Sequence, residues 1–226
     1  MLLTNLAAPS NPAESLVALA LRIGALELVP EGRTLKSGRL SPYFFNSGLF
    51  NRGADLTELT KAYLASTLAQ GHPDVVFGPA YKGIALAVSI TQALGGDVAY
   101  AHDRKEEKDH GEGGTIVGAP LKHMNVWVAD DVMTTGTSSI GAVNIIRANG
   151  GNPTCCVIAF DRQERVTEGG SSATQAFERD CGIPVYAAAT LADLISLLAR
   201  TPTENGDDSV SEILQKILDY QAEYGV

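Results

Sequence analysis

The stretch "VWVADDVMTTGTSS", Val126–Ser139, decides how the rest of the chain is read. Its apolar start has the composition of a buried strand, and that strand delivers two adjacent acids, Asp130 and Asp131, to its carboxyl end. A small, hydroxyl-rich turn follows and opens a helix. Gly136 lets backbone N–H groups approach an anion closely. Thr134, Thr135, Thr137 and Ser138 add hydroxyl donors, and the helix N-terminus adds partial positive charge. Two carboxylates cannot themselves hold a phosphate. They suit the hydroxyls of a sugar, as in dinucleotide folds, and they also suit Mg²⁺, which favours carboxylate and phosphate oxygens together. The stretch therefore predicts a sugar-phosphate site, with the acids on the hydroxyls and the turn on the phosphate. It contains neither G-x-x-x-x-G-K-[ST] nor G-x-G-x-x-G.

On either side the rhythm is strand, turn, helix. "DVVFGPAYKG" predicts a strand ending at Gly78 and a helix near Ile84–Leu94, and "DVAYAH" predicts another strand. A helix after Thr137 stops at Asn149-Gly150-Gly151, and "TCCVIAF" and "IPVYAAA" are further strands. Near-continuous apolar strands alternating with helices predict an α/β fold, a mostly parallel sheet covered on both faces. Its ligands are expected beyond the carboxyl ends of the strands. Nearer the start, Asn11, Pro12 and Glu14 predict a capped helix with Leu16, Leu19, Ala20 and Ile23 on one face. Residues 33–50 read as short strands and loops. Asp55 and Glu58 are expected to cap a second helix running to Gly71. Residues 201–208 read as a polar linker before a terminal helix.

The 226 residues suit one domain with elaborations. A net charge of −9 argues against a general electrostatic grip on nucleic acid, so any bound anion must be held by local groups. Three cysteines, with no CxxC pair, fit a reducing compartment, and the four histidines show no zinc-ligand spacing with them. The first residues lack the basic segment of a signal peptide, and the apolar stretch 16–29 is broken by Arg22 and Glu27. The reading expects a soluble, cytoplasmic protein with no membrane partner.

The stretch 126–139 resembles the ribose-phosphate signature of the type I phosphoribosyltransferases, and five other segments extend the likeness. "GPAYKG" (Gly78–Gly83) follows a strand, and in that family the corresponding loop takes pyrophosphate. "DRKEEKDHGEGG" (Asp103–Gly114) mixes Arg104, Lys105, Lys108 and His110 with five acids and ends in glycines. It resembles the mobile catalytic loop of the orotate phosphoribosyltransferase family. "TLKSG" places Lys36 near a turn, and "SPYFFNSGLF" places Phe44 and Phe45 beside it. "FDRQER" ends a strand with Arg162, whose planar fork suits a carboxylate. The likeness is strong from Lys36 to Arg165. Met133 is a small departure, standing where a branched aliphatic is commoner.

The resemblance implies a single domain over residues 1–226. A small hood would be built from parts of 30–50 and the C-terminal region, and a mobile lid from 103–114. It implies transfer of a phosphoribosyl group from phosphoribosyl pyrophosphate to orotate, with Mg²⁺, in a homodimer whose lids serve shared sites. Substrate contacts would fall on Lys36, Phe44, Phe45, Tyr81, Lys82, Arg104, Lys105, Lys108, His110, Asp130, Asp131, Val132, Met133, Thr134, Thr135, Gly136, Thr137, Ser138 and Arg162. Catalysis would centre on Lys105, Lys108, His110, Asp130 and Asp131. Two rivals remain at this point: a non-catalytic sensor of the same ligand that binds nucleic acid, and a transferase for a purine. The first should carry a basic patch or an added DNA-binding module, and the chain has neither.

Overall fold

A computed structural model describes residues 6–105, 115–167, 169–202 and 208–226. Helix α1 (Pro12–Arg22) starts as its sequence predicts, with the Asn11 side chain accepting from the Glu14 N–H and Pro12 in the first turn. Ile23 lies just past its end, as the C-cap. Glu14 does more than cap. Its buried carboxylate accepts from the Ser10 N–H and hydroxyl, and from Ser196 and Arg200 far along the chain. The Ser10 hydrogen bonds, with those from Arg200 and Ser196, hold the Glu14 carboxyl down to about 2 against its burial.

Strands β1 (Leu26–Thr34) and β2 (Leu40–Phe45) form an antiparallel hairpin whose register breaks between Leu28 and Arg33. Pro30 and Gly32 sit inside that break, which is where a strand tolerates them. β1 thus begins ahead of the segment that the sequence marks for short strands. Helix α2 (Gly53–Thr67) carries Asp55 in its first turn. Glu58 is not a cap: it pairs with Lys61 at 2.7 Å on the exposed face.

The main sheet is built from β3 (Val75–Gly78), β4 (Ala99–Asp103), β5 (Ile116–Gly118), β6 (Asn125–Val132), β7 (Asn152–Asp161) and β8 (Val185–Thr190). Its order is β5-β4-β3-β6-β7-β8. Neighbours are parallel except β5, which lies antiparallel on β4 at the edge. Helix α3 (Lys82–Leu94) follows β3, and α4 (Thr137–Ala148) follows β6. Next come α5 (Ala173–Cys181), α6 (Leu191–Arg200) and α7 (Ser209–Tyr224). Period-two alternation sends Val76, Trp127, Ala129, Val157 and Ala159 into a core shared with α1, α2, α3 and α6. Phe77, Val126, Val128, Cys156 and Ile158 point the other way, onto α4 and α5. Both faces are covered, which is why these strands read as continuous apolar runs.

Helix α7 closes over the hairpin. The Tyr220 ring meets Tyr43 edge-on at 6.0 Å, and Lys216 donates to the Pro30 carbonyl at 2.8 Å. From β3 the chain moves outward to β4, then returns to β6 and proceeds the opposite way to β8. The strand order therefore reverses between β3 and β6, the place where open sheets of this type leave a crevice.

Candidate active site

Asp130 and Asp131 stand on the β6 side of that crevice, only 8% and 7% exposed. Successive strand residues face opposite ways, so the two acids find different partners. Asp130 turns toward α4, accepting from the Ser139 hydroxyl at 3.0 Å and from the Asp131 N–H at 2.9 Å. Asp131 accepts from the Ser47 hydroxyl at 2.8 Å and from Lys82 at 2.7 Å. From beneath, the Tyr63 hydroxyl donates to the Asp130 carbonyl at 2.7 Å and fixes the strand end. Burial pushes the Asp130 carboxyl up to about 6, although the Asp131 N–H bond works against that rise. Near neutrality it is mostly ionised yet easily protonated.

Beyond the acids, Val132 is half-buried and Met133 buried, while Thr134, Thr135, Thr137 and Ser138 are exposed. Gly136 is the N-cap of α4 at φ 73°, left-handed backbone that favours glycine. A glycine cap has no side chain to offer the first-turn N–H groups. Those donors, with the exposed hydroxyls around them, form a cradle suited to an anion.

The facing loop, Gly78–Gly83, turns β3 into α3 within a few residues. A Cβ on Gly78 would stand 2.0 Å from the Gly83 carbonyl oxygen, and one on Gly83 would stand 2.7 Å from that of Ala129. Only glycine at both positions lets the turn lie against β6. The Ala80 N–H donates to Asp103 at 2.6 Å, tying this turn to the end of β4. Tyr81 is 74% exposed at the tip, and Lys82 reaches across to Asp131. Past β4, the Arg104 N–H bonds the Thr115 carbonyl at 2.8 Å, and Lys105 is exposed. Lys108 and His110, with the rest of the predicted lid from 106 to 114, lie outside the described residues.

At the end of β7, Arg162 is largely covered, its side chain 11% exposed, rather than a surface ion-pair residue. Its guanidinium lies 4.4 Å over the Tyr43 ring and donates to the Ser41 hydroxyl at 3.0 Å and to Glu164 at 2.6 Å. The two aromatic residues of the hairpin part company. Phe45 is a core residue stacked on Phe160 at 5.2 Å, whereas Phe44 faces the other way beneath the Arg33 guanidinium. Lys36 is exposed in the turn of the hairpin.

The structure thus brings Lys82 to Asp131 and sets the cradle beside both. Ser47, Tyr63, Asp103, Ser139 and Glu164 hold these groups, and the sequence reading missed all five as site residues. Ser139 at least closes the opening motif, and Ser47 belongs to "SPYFFNSGLF". Tyr63 and Glu164 carry no local signal of their roles.

Residues 50–183 match the phosphoribosyl transferase domain family. The orotate phosphoribosyltransferase of Xanthomonas campestris pv. campestris (strain B100) is 47% identical over 85% of this chain and 87% of its own length. That of Methylibium petroleiphilum is 44% identical over 97% of this chain and 96% of its own. Among solved structures, the orotate phosphoribosyltransferase of Francisella tularensis superposes with a TM-score of 0.79. It is 34% identical and covers 94% of this chain and 100% of that one. A chain with this crevice, and with such likeness along most of its length in both sequence and fold, belongs to the orotate phosphoribosyltransferase family of phosphoribosyltransferases.

Proposed function

We infer that the chain transfers the 5-phosphoribosyl group of phosphoribosyl pyrophosphate to orotate, giving orotidine 5'-monophosphate and pyrophosphate in pyrimidine biosynthesis. The observation that carries this reading is the pair Asp130–Asp131, buried at the switch point between the cradle and Lys82. The bond from the anomeric carbon to pyrophosphate breaks, and a bond to the base nitrogen forms, through a transition state with oxocarbenium character. Asp130 and Asp131 hold the ribose hydroxyls and set negative potential beside the developing cation. Thr134 to Ser138 anchor the 5'-phosphate. Lys82, Arg104, Lys105 and Lys108 offset charge on the leaving pyrophosphate, and His110 donates a hydrogen bond to it. Lys36, Phe44, Phe45 and Arg162 orient the base, with Arg162 on its carboxylate. Phe45 serves from the core, by fixing the strand that carries Phe44.

Among the described residues no cluster of three metal-ligating side chains exists. Two adjacent carboxylates beside a phosphate cradle nevertheless fit Mg²⁺ that arrives with substrate oxygens, since that ion uses one or two carboxylates plus phosphates. Asp130 and Asp131 would hold it, and it would supply positive charge to the pyrophosphate.

The hairpin with α7 reads as the hood of one phosphoribosyltransferase domain. No described helix is long and apolar enough to cross a membrane, in keeping with a cytoplasmic enzyme. The working form is a homodimer in which the lid of one subunit completes its partner's site. A spectrophotometric assay tests the substrate assignment. Orotate should be consumed only with phosphoribosyl pyrophosphate and Mg²⁺, and comparable turnover of adenine, hypoxanthine or uracil would reject it.

A further inference from the structure

Beside the crevice, two guanidinium groups share one largely covered carboxylate. Glu164 accepts from Arg162 at 2.6 Å, from the Tyr43 hydroxyl at 2.9 Å and from Arg39 at 3.4 Å. Two cations and one anion leave the cluster with one net positive charge, which matches a single substrate carboxylate. The same contacts fix the plane of the Arg162 fork, with the Tyr43 ring beneath it and the Ser41 hydroxyl at its edge.

The end of the chain braces this cluster. The Arg165 N–H donates to the Tyr224 carbonyl at 2.8 Å, and the Val226 N–H to the Gln163 carbonyl at 3.1 Å. Arg39 also lies 4.7 Å over the Tyr224 ring. Tyr220 packs against Tyr43 and Tyr224, and its buried hydroxyl makes no hydrogen bond of good geometry among the described residues, although Arg162 and Glu164 both lie within its reach. Leaving a buried hydroxyl unpaired costs stability, so its retention calls for an account. Arg162 and Glu164 both lie near enough to act on its ionisation, which burial raises most.

We propose that Glu164 positions Arg162 for a substrate carboxylate, and that the Tyr220 hydroxyl replaces the arginine on Glu164 when its fork turns to that ligand. The proposal rests on Arg162 as the contact to the orotate carboxylate. An arginine has five N–H donors, and any it redirects leaves Glu164 short of a bond in a place with little access to water. Tyr220 is the idle buried donor beside that carboxylate. Its hydroxyl is unpaired in the free enzyme and paired in the complex, so the exchange favours binding.

The test measures KM separately for orotate and for phosphoribosyl pyrophosphate in Arg162→Ala, Glu164→Gln, Tyr220→Phe and the Glu164→Gln/Tyr220→Phe double variant. Tyr220→Phe removes only an unpaired hydroxyl, so it should fold at least as stably as the parent. Its orotate KM should rise about ten-fold, as for a lost hydrogen bond to a charged group, with the other KM unchanged. Glu164→Gln should also act on orotate alone. The double variant should add little to Glu164→Gln, because the hydroxyl acts through that carboxylate. An unchanged orotate KM in Tyr220→Phe would overturn the replacement role. A Glu164→Gln effect equal on both substrates would reduce Glu164 to a structural residue. If Arg162→Ala itself spared orotate, the underlying reading of Arg162 would fall and the proposal with it.

Discussion

Lys82 Nζ lies 2.7 Å from Asp131 Oδ2, joining the turn after β3 to the end of β6 across the point where the sheet's strand order reverses. The lysine side chain is 56% exposed and the aspartate only 10%, so the contact has one wet partner and one buried one. Such a pair adds little to folding. It keeps a cation poised where the pyrophosphate is proposed to sit, and that ligand can draw Lys82 away while ribose hydroxyls take its place on Asp131.

Lys82→Ala should therefore cost about 1 kcal/mol of stability or less. Its KM for phosphoribosyl pyrophosphate should rise on the order of ten-fold, the loss of one charge-assisted bond. Urea unfolding and initial rates measure the two effects side by side.

Asp130 predicts an inverted pH dependence. Its carboxyl is raised from 3.8 to about 6, so the folded chain binds that proton more tightly than the unfolded chain. The group's contribution is fully present below about pH 4 and is lost as pH rises through 6. Between about pH 7.5 and pH 5 it should add about 1 kcal/mol of stability to the free enzyme. Asp130→Asn should abolish that gain, so the parent should rise by about 1 kcal/mol relative to the variant on acidification. Paired urea titrations at the two pH values measure it. Glu14, held down to about 2, does not interfere, because its contribution is constant above about pH 5.

Phe44 and Phe45 should separate in mutation. Phe45→Ala empties a core position against Phe160 and should cost about 3–5 kcal/mol. Phe44→Ala, on the opposite face, should cost about 1 kcal/mol and raise the orotate KM instead. Equal destabilisation by the two would contradict the strand's facing.

The fold was legible where apolar runs end at glycine. The strand before Asp130, the turn at Gly136 and the strand ending at Gly78 needed only composition and spacing. β1 was harder, because Pro30 and Gly32 interrupt its alternation and only pairing with β2 restores it. β5 is three residues long, too short for any period to show. Helices α5 and α6 went unread, although Ser172 with Gln175 and Thr190 with Asp193 form complete capping boxes. The residues proposed to meet ligand came from motifs, whereas their supports did not. Ser47 reaches Asp131 across 84 positions and Tyr63 reaches Asp130 across 67. Such contacts follow from the packing of α2 and the hairpin on the sheet, which local pattern does not encode.

A lid shared across a dimer, as proposed above, predicts complementation between inactive variants. Lys108→Ala damages the lid and Asp131→Asn the ribose site, and each alone should be folded and nearly inactive. After subunit exchange about half the dimers are hybrids, and roughly a quarter of all sites should regain activity if the lid acts on its partner. Confirmed exchange without recovery would show that each lid serves its own subunit.

The account's central claim is that one crevice holds two ligands through separate groups: the cradle for the phosphoribosyl donor and Arg162 for the base. Its most direct test is a crossed measurement of both KM values in two variants. One replaces the exposed hydroxyls of the cradle, Thr134→Val with Thr137→Val and Ser138→Ala, and the other is Arg162→Ala. The cradle variant should weaken phosphoribosyl pyrophosphate by at least about ten-fold and leave orotate unchanged, and Arg162→Ala should do the reverse. If either variant raised both constants equally, or the two effects were exchanged, the division of the site would be wrong.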